Sequence, residues 1–182
     1  DKIVLLSIGE INKNKNQRQV IEAISLLPVD IKYRIVYLIA GKGKQEREIK
    51  SISTKYGLGK QVVFLGYSGD IPNLINAADI NLSTSYREGL PKNVMEAMAT
   101  GKPVIGTNVR GNRDLIKHGE TGLLVPVGDY HATAEAITKL INDKELYLDI
   151  RANTKKFVTR YDIDSVLNEI VEIYANKMGF LS

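Results

Sequence analysis

Six short runs along the chain are apolar almost without interruption: IVLLSI at 3–8, RIVYLIA at 34–40, QVVFLG at 61–66, DINLST at 79–84, KPVIGT at 102–107 and TGLLVPV at 121–127. Continuous apolar segments of this length, rich in Val and Ile, are the pattern of strands covered on both faces. Between them the period becomes helical. QRQVIEAISLL at 17–27 sets Val20, Ile21, Ile24 and Leu27 on one stripe, and KQEREIKSISTKYG at 44–57 stops at Gly57. IPNLINAA, PKNVMEAMAT, HATAEAITKLIN and SVLNEIVEIYANKM predict further helices, the last within a terminal helical stretch at 160–182. Strand and helix alternating in this way predict a doubly wound, Rossmann-like α/β domain with about six parallel strands, helices on both faces and right-handed crossovers.

In such a domain ligands bind beyond the carboxyl ends of the strands, near the point where the strand order reverses. The loops to inspect are therefore 9–16, 41–44, 66–70, 83–91, 107–113 and 127–130, which hold most of the glycines. With 182 residues and 43% hydrophobic content, the chain predicts one domain over 1–182. It opens on Asp and enters a strand almost at once, which reads as a piece of a longer protein.

The remaining composition mainly excludes. No apolar run approaches the roughly 20 residues that cross a bilayer, and the absence of cysteine rules out disulfides and thiolate metal sites. His118 and His131 are the only histidines. Neither is assigned a role, no metal is expected, and the compartment expected is the cytoplasm. The net charge of +4 and pI near 9.1 suit a phosphate-bearing ligand, an anionic membrane surface or nucleic acid. The basic stretch RANTKKFVTR at 151–160 reads as a solvated helix face, and no nucleic-acid partner is expected.

Candidate chemistry lies in REGLPKNVMEAMATGKPV at 87–104. Pro91 suits the first turn of a helix, where its missing N–H costs nothing. The amides of Lys92, Asn93 and Val94 then point into the loop as free donors, and with the helix dipole and the Lys92 charge they offer an anion site that fits a diphosphate. Water on an ordinary helix start is the bland alternative. Glu88 lies in the turn and Glu96 eight positions later. A Lys92–Glu96 surface pair would run in the poorer i, i+4 orientation, whereas ionised carboxylates accept paired hydrogen bonds from vicinal sugar hydroxyls.

With its flanks, ADINLSTSYREGLPKNVMEAMATGKPVIGTNVRGNRDLIKHGETGLLVPVGD resembles the C-terminal, donor-binding half of GT-B glycosyltransferases, in particular the retaining family GT4 of capsular and surface polysaccharide type. SIGEINKNKN, LIAGKGKQE and QVVFLGY are similar to the family's first three strand-loop units, so the likeness runs in order over about residues 3–145. It implies that Glu88 binds hydroxyls of the transferred sugar and Glu96 the ribose of the nucleotide. The backbone around Gly89, Leu90, Pro91 and Lys92 would hold the diphosphate, with Lys15 as the neutralising cation above the Gly9 loop. The base would lie near Gly41, Gly43 and Tyr67, and Tyr86 is a further candidate for donor contact.

The resemblance further implies a nucleoside-diphosphate sugar as donor, a metal-free leaving-group step, and retention of anomeric configuration. The acceptor would be read by an N-terminal domain outside this chain, which alone should be inactive. A lipid-linked acceptor at the inner membrane face, with peripheral attachment there, would agree with the basic pI. Glu10 departs from the family, whose members often carry Arg at that position; Lys13, Arg18 or Arg87 would then supply the second positive charge. Asp114 stands where Glu is common. A sugar-nucleotide epimerase domain and a non-catalytic nucleotide-binding module are the competing readings; a dehydrogenase lacks its G-x-G-x-x-G helix opening.

Overall fold

The computed structural model describes residues 2–158. In chain order the elements are β1 (Ile3–Ile8), α1 (Gln17–Leu26), α2 (Val29–Lys32), β2 (Ile35–Ala40), α3 (Glu46–Lys55), β3 (Val62–Gly66), α4 (Ile71–Ala77) and β4 (Ile80–Ser83). Then come α5 (Lys92–Ala99), β5 (Val104–Thr107), α6 (Arg110–Leu115), β6 (Leu123–Val125), α7 (Tyr130–Asn142) and α8 (Lys144–Val158). All six predicted strands form. The helix expected over 160–182 lies outside the described residues.

The strands make one parallel sheet in the order β3-β2-β1-β4-β5-β6. From β1 the chain winds outward to β3, crosses back over the sheet through α4, and resumes beside β1 at β4. The order therefore reverses between β1 and β4, and their carboxyl ends flank the switch point. Loops 9–16 and 83–91 leave the sheet there.

Alternation along the strands explains the double covering. Leu5 joins the apolar cluster of Ile21, Ile24, Tyr37 and Ile137, whereas its neighbour Leu6 joins that of Ala97, Met98 and Leu115 on the other face. Side chains from α1, α3 and α7 thus line one cluster, and those from α4, α5 and α6 the other. Three helical segments depart from the predicted pattern. α2 is a single turn after Pro28, α6 occupies most of what reads as the 107–113 loop, and α8 begins at Lys144, ahead of the basic stretch at 151. α6 has six residues, RGNRDL, too few apolar ones for a helical period to show.

Candidate functional site

The 9–16 and 83–91 loops are fastened to each other across the switch point. Asn14 Nδ2 donates to the Arg87 carbonyl at 3.0 Å and Asn14 Oδ1 accepts from the Arg87 amide at 3.1 Å. The Tyr86 amide donates to the Asn14 carbonyl at 2.8 Å, and Thr84 Oγ1 to the Asn16 carbonyl at 3.0 Å. At the centre of this seam Lys15 Nζ lies 2.6 Å from Glu88 Oε1, although 73 positions separate them. Ser85 Oγ donates to the same carboxylate oxygen at 2.5 Å.

Lys15 is aimed by its own loop. Asn12 Oδ1 accepts the Lys15 amide at 2.9 Å, and Lys15 Cε passes over Gly9, where a Cβ would stand 3.1 Å away. Glu10, the departure from the family pattern, serves this loop: its carboxylate accepts from Asn12 Nδ2 at 2.9 Å and its carbonyl from Gln17 Nε2 at 3.0 Å. Of the three proposed substitutes for a family Arg, Arg18 is held by Glu22 at 2.8 Å, and that bond and charge raise its pKa. Arg18 and Lys13 line a separate groove with Tyr86 and Glu48, while Arg87 is exposed in the turn next to Glu88.

The loop carrying Glu88 is held from below by residues that the sequence does not single out. Thr107 Oγ1 donates to the Ser85 carbonyl at 2.6 Å. Asn112, fully buried on α6, donates from Nδ2 to the carbonyls of Ser83 and Thr107, each at 3.0 Å. Gly111 gives its amide to the Glu88 carbonyl at 3.2 Å. Their signal would have been the TNVRGN stretch itself, where Gly and Asn follow a strand end.

Pro91 is the buried N-cap of α5, one position before its predicted place inside the first turn. The Val94 amide, expected to be free, instead donates to the Pro91 carbonyl at 3.0 Å. The amides of Lys92 and Asn93 have no protein acceptor among the described residues and face the site at the helix's positive end. Asn93 Nδ2 reaches the Ile8 carbonyl at 3.4 Å, which sets that flank of α5 over the end of β1. At 100° per residue Glu96 lies between Asn93 and Lys92 on the helix circumference. It is exposed, and the surface pair with Lys92 does not form.

The loops expected to lie near the base also meet here. Gly41, at φ 151°, packs so closely on the 9–16 loop that a Cβ would stand 1.9 Å from the Gly9 carbonyl oxygen; no other residue fits. Gly43 lies against Ile11, whose amide donates to the Lys42 carbonyl at 3.0 Å. The Gly41 amide donates to the Gly66 carbonyl at 2.7 Å, and Tyr67 follows, 84% exposed at the same edge. Leu90 is exposed and the Gly89 carbonyl packs against Gly111. Gln17 Oε1 is buried without a donor, in the crevice that also has Ser7, Lys15, Ser85 and Asn93 in its lining.

The histidines lie elsewhere: His118 Nδ1 accepts the Leu124 amide at 3.0 Å, and the His131 ring packs on Tyr130. A wider groove runs between the end of α1 and α7, lined by Leu26, Pro28, His131 and Lys139, and holds none of the candidate donor-site residues. Among the described residues no three metal-ligating side chains gather, and no helix is long and apolar enough to cross a membrane.

Brought together, then, are an ammonium, a carboxylate, a helix amino end and a glycine-lined ledge, on a sheet whose order reverses beneath them. The family model for glycosyl transferases group 1 matches residues 1–157. The chain belongs to that family. EpsD of Bacillus subtilis (strain 168) is 37% identical over 179 residues, covering 98% of this chain and 46% of the relative. UDP-Gal:alpha-D-GlcNAc-diphosphoundecaprenol alpha-1,3-galactosyltransferase of Escherichia coli is 31% identical over 140 residues, 76% of this chain and 36% of the relative. The crystal structure of Anabaena Alr3699/HepE in complex with UDP-glucose superposes with TM-score 0.87 at 27% identity, over 97% of this chain and 49% of that one. This group 1 domain is the Rossmann-like C-terminal half of a GT-B fold, and it spans about half the length of EpsD and HepE.

Proposed function

We propose that this chain is the donor-binding half of a retaining glycosyltransferase, which transfers a hexose-type sugar from a nucleoside-diphosphate donor to a glycan acceptor in polysaccharide or glycoconjugate synthesis. The observation that carries the reading is the Lys15–Glu88 pair set beside the free amides of α5 at the topological switch point. A cation beside two aligned amide donors suits a diphosphate, and the adjoining carboxylate suits the hydroxyls of the attached sugar.

In this reading Glu88 orients the sugar by accepting its hydroxyls, and Glu96 accepts from the ribose. The ledge of Gly9, Gly41 and Gly43, with Tyr67 at its rim, receives the base. When the bond from the anomeric carbon to the diphosphate oxygen breaks, the electron pair stays on the diphosphate. Lys15 and the amides of Lys92 and Asn93, with the backbone at Gly89 and Leu90 beside them, stabilise that charge without a metal ion. The likeness to the UDP-glucose-bound HepE favours uracil as the base, and the name of the Escherichia coli relative favours a lipid-diphosphate acceptor. The acceptor would be held by an N-terminal domain, in keeping with the half-length match to relatives.

Calorimetric titration of the chain with UDP, GDP, ADP and UDP-glucose, with and without EDTA, tests this. Weak binding of one nucleoside diphosphate and its sugar, indifferent to EDTA and with no sugar transfer by the chain alone, is the expected result. Failure of every ligand to bind at millimolar concentration would overturn the reading.

A further inference from the structure

The two groups that the proposed site needs for different parts of one ligand are bound to each other. Lys15 Nζ lies 2.6 Å from Glu88 Oε1, with the side chains 25% and 11% exposed. Ser85 Oγ shares that oxygen at 2.5 Å, while Glu88 Oε2 has no protein partner among the described residues. The pair is not what holds the loops together, because Asn14, Thr84 and the Tyr86 amide already join them.

From this geometry we infer that the Lys15–Glu88 pair discriminates the sugar-bearing donor from the spent nucleoside diphosphate, releasing Lys15 onto the diphosphate only when sugar hydroxyls replace it on Glu88. The inference rests on the donor site proposed above. A carboxylate in contact with an ammonium cancels most of its field at a third charge. A bare nucleoside diphosphate therefore meets a neutralised cation. To claim Lys15 it must strip Glu88 of its charged partner in a poorly solvated position and then sit beside the freed carboxylate, a like-charge arrangement offset only by the neutral Ser85 hydroxyl.

The sugar-bearing donor brings the compensation with it. Its hydroxyls donate to Glu88, an acceptor with lone pairs to spare on Oε2, so Lys15 can turn to the diphosphate without leaving a buried charge alone. After transfer the sugar is gone, Glu88 recaptures Lys15, and the hold on the leaving nucleotide weakens. The pair would thus favour donor entry and product departure with the same two side chains.

The test is the dissociation constant of UDP and of UDP-glucose for the wild-type chain, Glu88→Gln and Glu88→Ala, with melting temperatures to verify folding. Both variants should bind UDP at least about threefold more tightly than wild type, because Lys15 is freed, and should bind UDP-glucose no more tightly. Unchanged or weaker UDP binding by the folded variants overturns the inference while leaving the donor site standing. In wild type the 15Nζ resonance of Lys15 should move further with UDP-glucose than with UDP; equal displacement also overturns it. A wild-type chain blind to both ligands would instead remove the donor site itself, and the inference with it.

Discussion

The Gly111 amide donates to the Glu88 carbonyl at 3.2 Å, and a Cβ on Gly111 would stand 2.2 Å from the Gly89 carbonyl oxygen. The loop presenting the Glu88 carboxylate therefore rests on the first turn of α6 with no room for a methyl group. Gly111→Ala should displace 88–89 at a cost of about 1–3 kcal/mol in stability. UDP-glucose affinity should fall about tenfold, ~1.4 kcal/mol. Urea unfolding and calorimetry read the two effects; a variant with wild-type affinity would show that the loop tolerates the shift.

Asn112 is the buried tie beneath that loop, donating to the Ser83 and Thr107 carbonyls from a fully enclosed side chain. Asn112→Ala leaves both carbonyls short of a donor and opens a small void. A loss of about 3 kcal/mol in unfolding free energy is expected, above the usual range for a surface change. A loss under about 0.5 kcal/mol would mean that water replaces the amide at no cost.

Among the described residues the Glu96 side chain has no partner, so its removal should leave stability alone. Glu96→Ala should keep the wild-type melting temperature, weaken UDP about tenfold, and leave inorganic diphosphate binding unchanged. Equal weakening of both ligands would place Glu96 at the phosphates and not at the ribose.

Tyr37 provides a pH handle on the core. Burial pushes its phenol well above the usual tyrosine range, although the hydrogen bond to Ser7 Oγ at 2.8 Å opposes that shift. A raised pKa in the fold means that the stability it confers is fully present below the unfolded value near 10.0 and is lost as pH climbs beyond it. Wild-type stability should thus fall above about pH 10, and Tyr37→Phe should flatten that decline while costing about 1 kcal/mol at neutral pH. Chemical denaturation between pH 8 and 11 checks the slope.

The six strands were legible because a doubly covered parallel sheet writes itself as unbroken apolar runs, and Leu5 and Leu6 could point to opposite faces without either being polar. Glu88 and the amino end of α5 were legible as separate chemical signals, and Lys15 through the family resemblance. Their union was not, since the Lys15–Glu88 contact spans 73 positions and depends on Asn14 pairing with the Arg87 backbone. Gly111 and Asn112 were hidden for a related reason. They act through main-chain carbonyls of a distant loop, which carry no sequence identity. The Val94 amide shows the converse error, a donor expected to be free but taken by the Pro91 carbonyl once Pro91 became the cap.

If the loops beyond β1, β2 and β4 form one nucleotide site, amide chemical-shift mapping of the 15N-labelled chain with UDP will show it. The largest shifts should fall on Gly9 to Lys15, Gly41 to Lys44 and Glu88 to Asn93, with Glu96 beside them. Shifts confined to the opposite edge of the sheet, around Lys2, Arg34 and Arg151, or none at millimolar UDP, would contradict it.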